Sequence, residues 1–435
     1  MNDMTLSPEK ITADLLPQRF SRRGMVWTGT LILICIIGAF AYSRQLKQGL
    51  VVTNMRDYVS WGIYISNFVF FVAISLVGSL ITAVLRLADV HWSTPLTRIA
   101  EIIAVSAIVF ASIIIVVDMG RPERFLNLFI HGRLQSPIIW DVVVIGTYFF
   151  LSILLLYFPL LPDLKILIKN DNGSPKWLNK FYRFLGSFWR GSKEQFKISN
   201  RAITILCITI IPVAFAIHTV TSWLFATTYR PGWDSTNFGA YFISGAFLVG
   251  AGAVVVAMYV FRKAYRLENY ITDFHFERMG RIVVLLAFLY LYFNINEYLI
   301  PAFKMKKPEE SHLTNLFTGE FAPLFWFAIL VGMIIPIIIM LFRRGRKPFP
   351  MFIAGIMVVI GAWFKRYLIV TPTLLHPFLP MDNAPRSFHH YFPSWEEWAI
   401  AMGSLSGALL VITLFARIFP IVPIHETIVE DERHA

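Results

Sequence analysis

Ten long apolar runs leave this chain few folds to choose from. They cover about 25–43, 61–85, 99–117, 138–160, 203–224, 236–261, 281–300, 322–342, 350–369 and 397–418. A helix of roughly 20 apolar residues crosses the ~30 Å hydrocarbon core of a bilayer. Inside hydrocarbon a backbone can satisfy its own N–H and C=O groups only as a helix or a closed barrel, and continuous apolar runs of this length are helical in pattern. With 56% hydrophobic and only 15% charged residues, the chain belongs to the membrane class. The expected fold is an all-α polytopic membrane protein. The first run follows a polar segment, 1–24, and no small-residue cleavage site follows it, so it is expected to stay as a helix and not to be removed as a signal peptide.

Ten spans put both termini on one side of the membrane. That side collects 26 Lys and Arg residues, against 12 on the other, with Lys365 inside a span. The positive-inside rule then places both termini in the cytoplasm of a bacterial inner membrane. The net charge of +12 is therefore an orientation signal and not a nucleic-acid footprint. The two cysteines, Cys35 and Cys207, each lie within a span and no Cys-x-x-Cys occurs, so the chain is not expected to hold an iron–sulfur cluster or a structural metal by itself. Of ten histidines only His218 lies clearly within a span, which argues against a transmembrane haem with two axial histidines.

An internal repeat divides the chain. Gly62-x-Tyr64 opens the second run and Gly239-x-Tyr241 the sixth; Ser136-Pro137-x-x-Trp140 opens the fourth and Ala322-Pro323-x-x-Trp326 the eighth. An even number of spans separates the copies, so the repeat is parallel. The expected organisation is a cytoplasmic segment (1–24), a flanking helix with an outer loop (25–60), a four-helix bundle of the second to fifth spans (61–224), a second bundle of the sixth to ninth with an outer loop (225–395), and a flanking tenth helix with a short tail (396–435). The basic stretch 161–200 is expected to be a solvated connector.

Nearly every unexpected polar residue falls near the outer end of a span. Tyr64 and Asn67 share a helix face; Asp118 ends the third span; Asp141 opens the fourth; His218, Glu297, Lys365 and Arg366 follow. The loop Asp118–Asp141 adds Arg121, Arg124, His131 and Arg133, with Trp140 at its end, and a later outer loop carries His376, Asp382, Arg386, His389 and His390. Simple roles exist for several: an Asp118–Arg121 helix-end pair, a solvated His131, a core histidine at 218, a snorkelling Arg366. Asp141 is harder to dismiss, because an ionised side chain in hydrocarbon is costly. An acid, a titratable imidazole and a fixed cation together (Asp141, His131, Arg366) suit quinol chemistry, in which two protons and two electrons leave a lipid-soluble ring. Nothing in the chain carries the electrons onward, so a redox partner is required. A secondary transporter using the parallel repeat and a purely structural anchor are the competing classes. Against the transporter, the spans are continuous and the polar groups gather at one face instead of the midplane.

The segment Asp118–Asp141, the sequence His218-Thr-Val-Thr-Ser-Trp223, the turn Pro231-Gly232-Trp233 and Trp363-Phe-Lys-Arg366-Tyr resemble the NrfD/polysulfide-reductase membrane subunit family, and the ten-helix form resembles the ActC-type quinol-binding subunit of alternative complex III. The resemblance covers about 55–420. It implies two four-helix bundles, no resident cofactor, and a quinone (menaquinone or ubiquinone) site near the periplasmic face of the first bundle. His131, Asp141, Arg366 and Asp118 would then be the chemical residues, with Tyr64, Asn67, Arg121, Trp140, His218, Glu297 and Lys365 around the ring. The implied partners are a ferredoxin-like iron–sulfur subunit on the periplasmic side and, in some assemblies, a multihaem cytochrome c, a molybdopterin-type subunit or a second NrfD-like subunit; proton translocation is also proposed for some members. One departure is Leu224, which follows Trp223 where the alternative complex III subunit carries an acid.

Overall fold

A computed structural model describes residues 7–18, 21–170, 175–304, 306–376 and 385–434; Asp382 lies outside them. The described residues form helices and no strand. Among the described residues, ten helices are long and apolar enough to cross a membrane: α2 (Arg22–Gln48), α3 (Ile63–Leu87), α4 (Thr94–Asp118), α6 (Pro137–Lys169), α8 (Lys193–Ala226), α9 (Phe238–Ala264), α10 (Asp273–Lys304), the pair α12 (Ala322–Ile329) and α13 (Ile335–Leu341), α14 (Pro348–Leu374) and α15 (Trp395–Ile418). Between and beyond them lie α1 (Pro8–Leu15), α5 (Asn127–Ile130), α7 (Lys176–Leu185), α11 (Lys307–Phe317) and α16 (Ile424–His434).

These are the expected spans, most of them lengthened at one or both ends. The apolar run 203–224 becomes Lys193–Ala226, and 281–300 becomes Asp273–Lys304. Charged turns beyond the hydrocarbon keep their helical bonds, so polarity marks the edge of the lipid and not the end of the helix. The eighth span departs from regularity: a π turn, Leu330–Ile334, separates α12 from α13. Pro336, just after it, has no N–H to return to the preceding turn, which is a common setting for such a turn.

α3 is apolar all round, and nearly every residue from Ile63 to Ala83 is buried. It packs on α4, α8, α9 and α14. α6 packs on α4 and α8; α9 on α10 and α14; α12 and α13 on α14. α2 lies on the flank with α15 as its main neighbour, and its outer side shows Ile32, Leu33, Ile36 and Phe40. The two approach closely: a Cβ on Gly38 would stand 2.9 Å from the Ala399 carbonyl oxygen.

The stretch 161–200 is not a solvated connector. α6 continues to Lys169, α7 packs on it, and Leu164, Leu167 and Tyr182 are buried. What holds this end together is an ion pair. Arg98 NH1 donates to Asp163 Oδ2 at 2.6 Å, both side chains are fully buried, and Asp163 also accepts the Ile424 and His425 N–H groups. The C-terminal α16 is thereby tied to the same face, where it meets α1. We call this the terminal face.

Candidate functional site

Ser136-Pro137 starts α6, since proline's missing N–H is no loss in a first turn. One turn later, Asp141 points inward with 1% exposure. Thr221 of α8 donates to its Oδ1 at 2.7 Å, while Oδ2 has no protein partner. The same hydroxyl lies 2.7 Å from the Ile217 carbonyl. One hydroxyl hydrogen cannot serve both. It donates to the carboxylate when Asp141 is ionised, and is released to Ile217 when a protonated Asp141 donates instead. Thr221 is thus fitted to either protonation state.

His218 sits three residues before Thr221, on the same face of α8. It is fully buried, and its ring meets the backbone of Ala214 one turn earlier. Its ring is 6.2 Å from Phe242 of α9. On that same ring lies Arg366 of α14: its guanidinium carbon is 4.9 Å from the Phe242 centroid and NH2 is 3.4 Å from the Phe242 carbonyl oxygen. Arg366 is 1% exposed, and its Nε and NH1 are unpartnered. A cavity of about 20 Å³ touches Tyr290, Asn294, Lys365 and Arg366. Outside Asp141, Trp140 and Trp223 meet edge to face at 6.4 Å, both partly exposed on the outward sides of α6 and α8.

The other expected residues go to different places. Lys365, which lines the same small cavity as Arg366, donates to Tyr298, with its Nζ 4.9 Å from the Phe325 ring. Glu297 accepts from Ser235 at 2.8 Å and Asn237 at 3.1 Å, and lines a separate cavity of about 30 Å³ with Tyr241, Glu309 and His312. Tyr64 donates to Gln45 at 2.7 Å, which in turn donates to the Val117 carbonyl. Asn67 accepts from Trp363 Nε1 at 2.6 Å beside a lipid-facing groove of about 290 Å³ walled by Phe70, Phe71, Trp398 and Met402. Asp118 ends α4 with Oδ1 buried and unpartnered; Arg121 is exposed and forms no ion pair with it. His131 follows α5 and is exposed, so it does not join Asp141 and Arg366. The imidazole beside Arg366 is His218, both on the Phe242 ring, while Asp141 reaches the same face of α8 through Thr221. A side chain four residues beyond a helix start is aimed by that helix, whereas a loop residue's direction cannot be read from spacing.

Thr221, Phe242 and Tyr290 also enter the site without having been singled out. Only Thr221 had a signal, its three-residue spacing from His218. At the neighbouring surface Glu397, whose role is likewise hidden in sequence, accepts from Asn54 and Ser394 N–H groups and from the Tyr391 hydroxyl at 2.6 Å. Burial and the adjacent Glu397 push the Tyr391 phenol well above its usual range. Among the described residues no group of three or more His, Cys, Asp or Glu could hold a metal ion.

The fold defines a multi-pass integral membrane protein, in which a buried acid and hydroxyl pair between α6 and α8 and a buried imidazole and guanidinium share one phenylalanine ring of α9. Residues 51–377, most of the chain, match the family described as polysulphide reductase, NrfD, and the protein belongs to that family. It is 23% identical to a selenate reductase subunit of Mesobacillus selenatarsenatis over 90% of this chain and 93% of that one. A putative dimethyl sulfoxide reductase membrane subunit of Halobacterium salinarum is 26% identical over 81% and 78% of the two chains. The integral membrane subunit of a menaquinone reductase of Nitratidesulfovibrio vulgaris is 23% identical over 95% and 96%.

Proposed function

We propose that this protein is the quinone-reactive membrane subunit of a respiratory oxidoreductase, exchanging electrons between the quinone pool and an iron–sulfur partner. The observation that carries this is a set of buried polar atoms without hydrogen bonds: Asp141 Oδ2, beside Thr221 of α8, and Arg366 Nε and NH1, on the Phe242 ring that His218 also faces. Buried polar groups are normally paired, so such a concentration fits a polar ligand group. The Nitratidesulfovibrio relative is named for menaquinone, which favours that ring as substrate.

Oxidising a quinol breaks two O–H bonds, sends two protons to the protein and two electrons to the partner; reduction reverses this. Asp141 exchanges one proton while Thr221 holds its second oxygen. His218 exchanges the other, and Arg366, on the same Phe242 ring, supplies a fixed charge beside that imidazole. The ring enters from lipid beside Trp140 and Trp223. Asp118 and His131 take rim positions, where released protons leave.

The terminal face is cytoplasmic and the opposite face periplasmic in a bacterial inner membrane. The loop 119–136 on that opposite face exposes Leu126, Phe129, Ile130 and Leu134 among Arg121, Arg124 and Arg133, a suitable dock for an acidic iron–sulfur subunit. Alternative complex III and its cousins, with cytochrome, molybdopterin or second NrfD-like subunits, are the assemblies in view, and the two four-helix bundles are their shared frame.

The test uses the purified complex in vesicles. Asp141→Asn should slow quinol-dependent reduction of the iron–sulfur partner by roughly a hundredfold or more; unchanged turnover would leave only a structural anchor. Proton coupling would use separate buried polar groups toward the terminal face: Tyr148 bonded to the Ser75 carbonyl, the Ser79–Ser152 contact at 3.2 Å, and Glu101, 3.6 Å from Arg86, which lines a terminal-face cavity of about 340 Å³. A pH dye inside the same vesicles should report proton movement with each turnover; turnover without it rules coupling out.

A further inference from the structure

α7 and the turns beside it form a surface that no role described so far uses. α7 has three faces. Leu178, Tyr182 and Leu185 pack on the end of α6, and Tyr157 donates to the Leu185 carbonyl at 2.7 Å. Trp177, Phe184 and Phe188 stand outward at 61%, 75% and 85% exposure. Lys176, Lys180 and Arg183 share the third face, one turn apart, and none pairs with a carboxylate among the described residues. Lys169, Lys193 and Lys197 lie in the adjoining helix ends, also outside any such pair.

The height of α7 follows from α6. That helix has 33 residues, about 50 Å at 1.5 Å per residue. Some 20 residues from its start cross the hydrocarbon. The part that α7 covers, around Leu160 to Leu167, therefore stands at the level of the lipid headgroups. Exposed aromatic rings beside unpaired cations at that level match a surface with acyl chains below and anionic groups above.

We propose that α7 is an interfacial anchor that binds anionic phospholipid, its aromatic side sunk among the acyl chains and its basic side against the headgroup phosphates. The proposal does not depend on the quinone reading or on orientation, because a nanodisc presents the same lipid to both faces.

The full chain is reconstituted in nanodiscs of phosphatidylcholine with or without phosphatidylglycerol, carrying Cys35→Ala, Cys207→Ala and a nitroxide at Phe184→Cys. The label should relax with oxygen more than with a water-soluble nickel chelate. The reverse order overturns the proposal, as does shielding from both, which would mean a protein on this face. In native mass spectrometry the wild type should retain phosphatidylglycerol over phosphatidylcholine. Each basic residue at an anionic surface is worth roughly fivefold in affinity, so the triple variant K176Q/K180Q/R183Q should lose that preference by about tenfold or more. An unchanged ratio refutes the role of the charges.

Discussion

Asp163 and Arg98 show how much one buried pair governs. Arg98 NH1 also reaches the Pro420 carbonyl and NH2 the Pro159 carbonyl, so α4, α6 and the segment before α16 converge on one guanidinium. Removing one partner strands a charge in a fully buried place, and such losses cost about 3–5 kcal/mol, whereas an apolar pair of similar volume is often neutral. Asp163→Ala should lower the thermal midpoint in detergent strongly, and Arg98→Met with Asp163→Leu should restore most of it. A single variant as stable as the wild type would show that the pair is not structural. Thr221 makes a different point: its value lies in having two acceptors and one hydrogen, which no substitution by valine preserves.

At the scale of elements, α3 is fixed at its start by contacts from far along the chain. Ile63 N–H donates to the Tyr391 hydroxyl at 3.0 Å, and a Cβ on Gly62 would lie 2.0 Å from that oxygen. Gly62→Val must push Tyr391 away and break its bond to Glu397. A double-mutant cycle with Tyr391→Phe should show strong coupling, the second change adding little to the first, measured as unfolding midpoints. Additive effects would mean that the contact is not shared. The spans were legible because an apolar run of bilayer length has one solution. α7 was not: ten residues rich in Lys and Phe look like a loop until a partner helix is seen beneath them. The Glu397 network was equally invisible, since it joins positions more than three hundred residues apart.

For the whole molecule, the surface elements between spans make stability pH-dependent. His312 of α11 is buried, and burial with His376 nearby pushes its imidazole down to about 3 from the usual 6.5. The folded state therefore keeps it neutral while the unfolded chain takes up a proton below pH 6.5. The stabilising contribution is complete above pH 6.5 and is lost as pH falls toward 3. Thermal midpoints should decline across that range, and His312→Gln should flatten the decline; an identical slope would remove His312 as the cause. The site was half legible. Asp141 and Arg366 stood out because charge in a span is rare. The choice of His218 over His131 needed the direction of a helix face, and Glu297 belongs to a separate cavity, whereas Lys365 lines the same small cavity as Arg366. The pairing of α2 with α15 bears on how such a chain is made. Of the ten spans described, α2 leaves the ribosome before the others and its mate after them, so for most of their synthesis it stands in lipid without that partner. A segment under that obligation has to be at home among acyl chains, and its one buried polar side chain, Gln45, sits at the far end, where α3 and α4 arrive early to receive it.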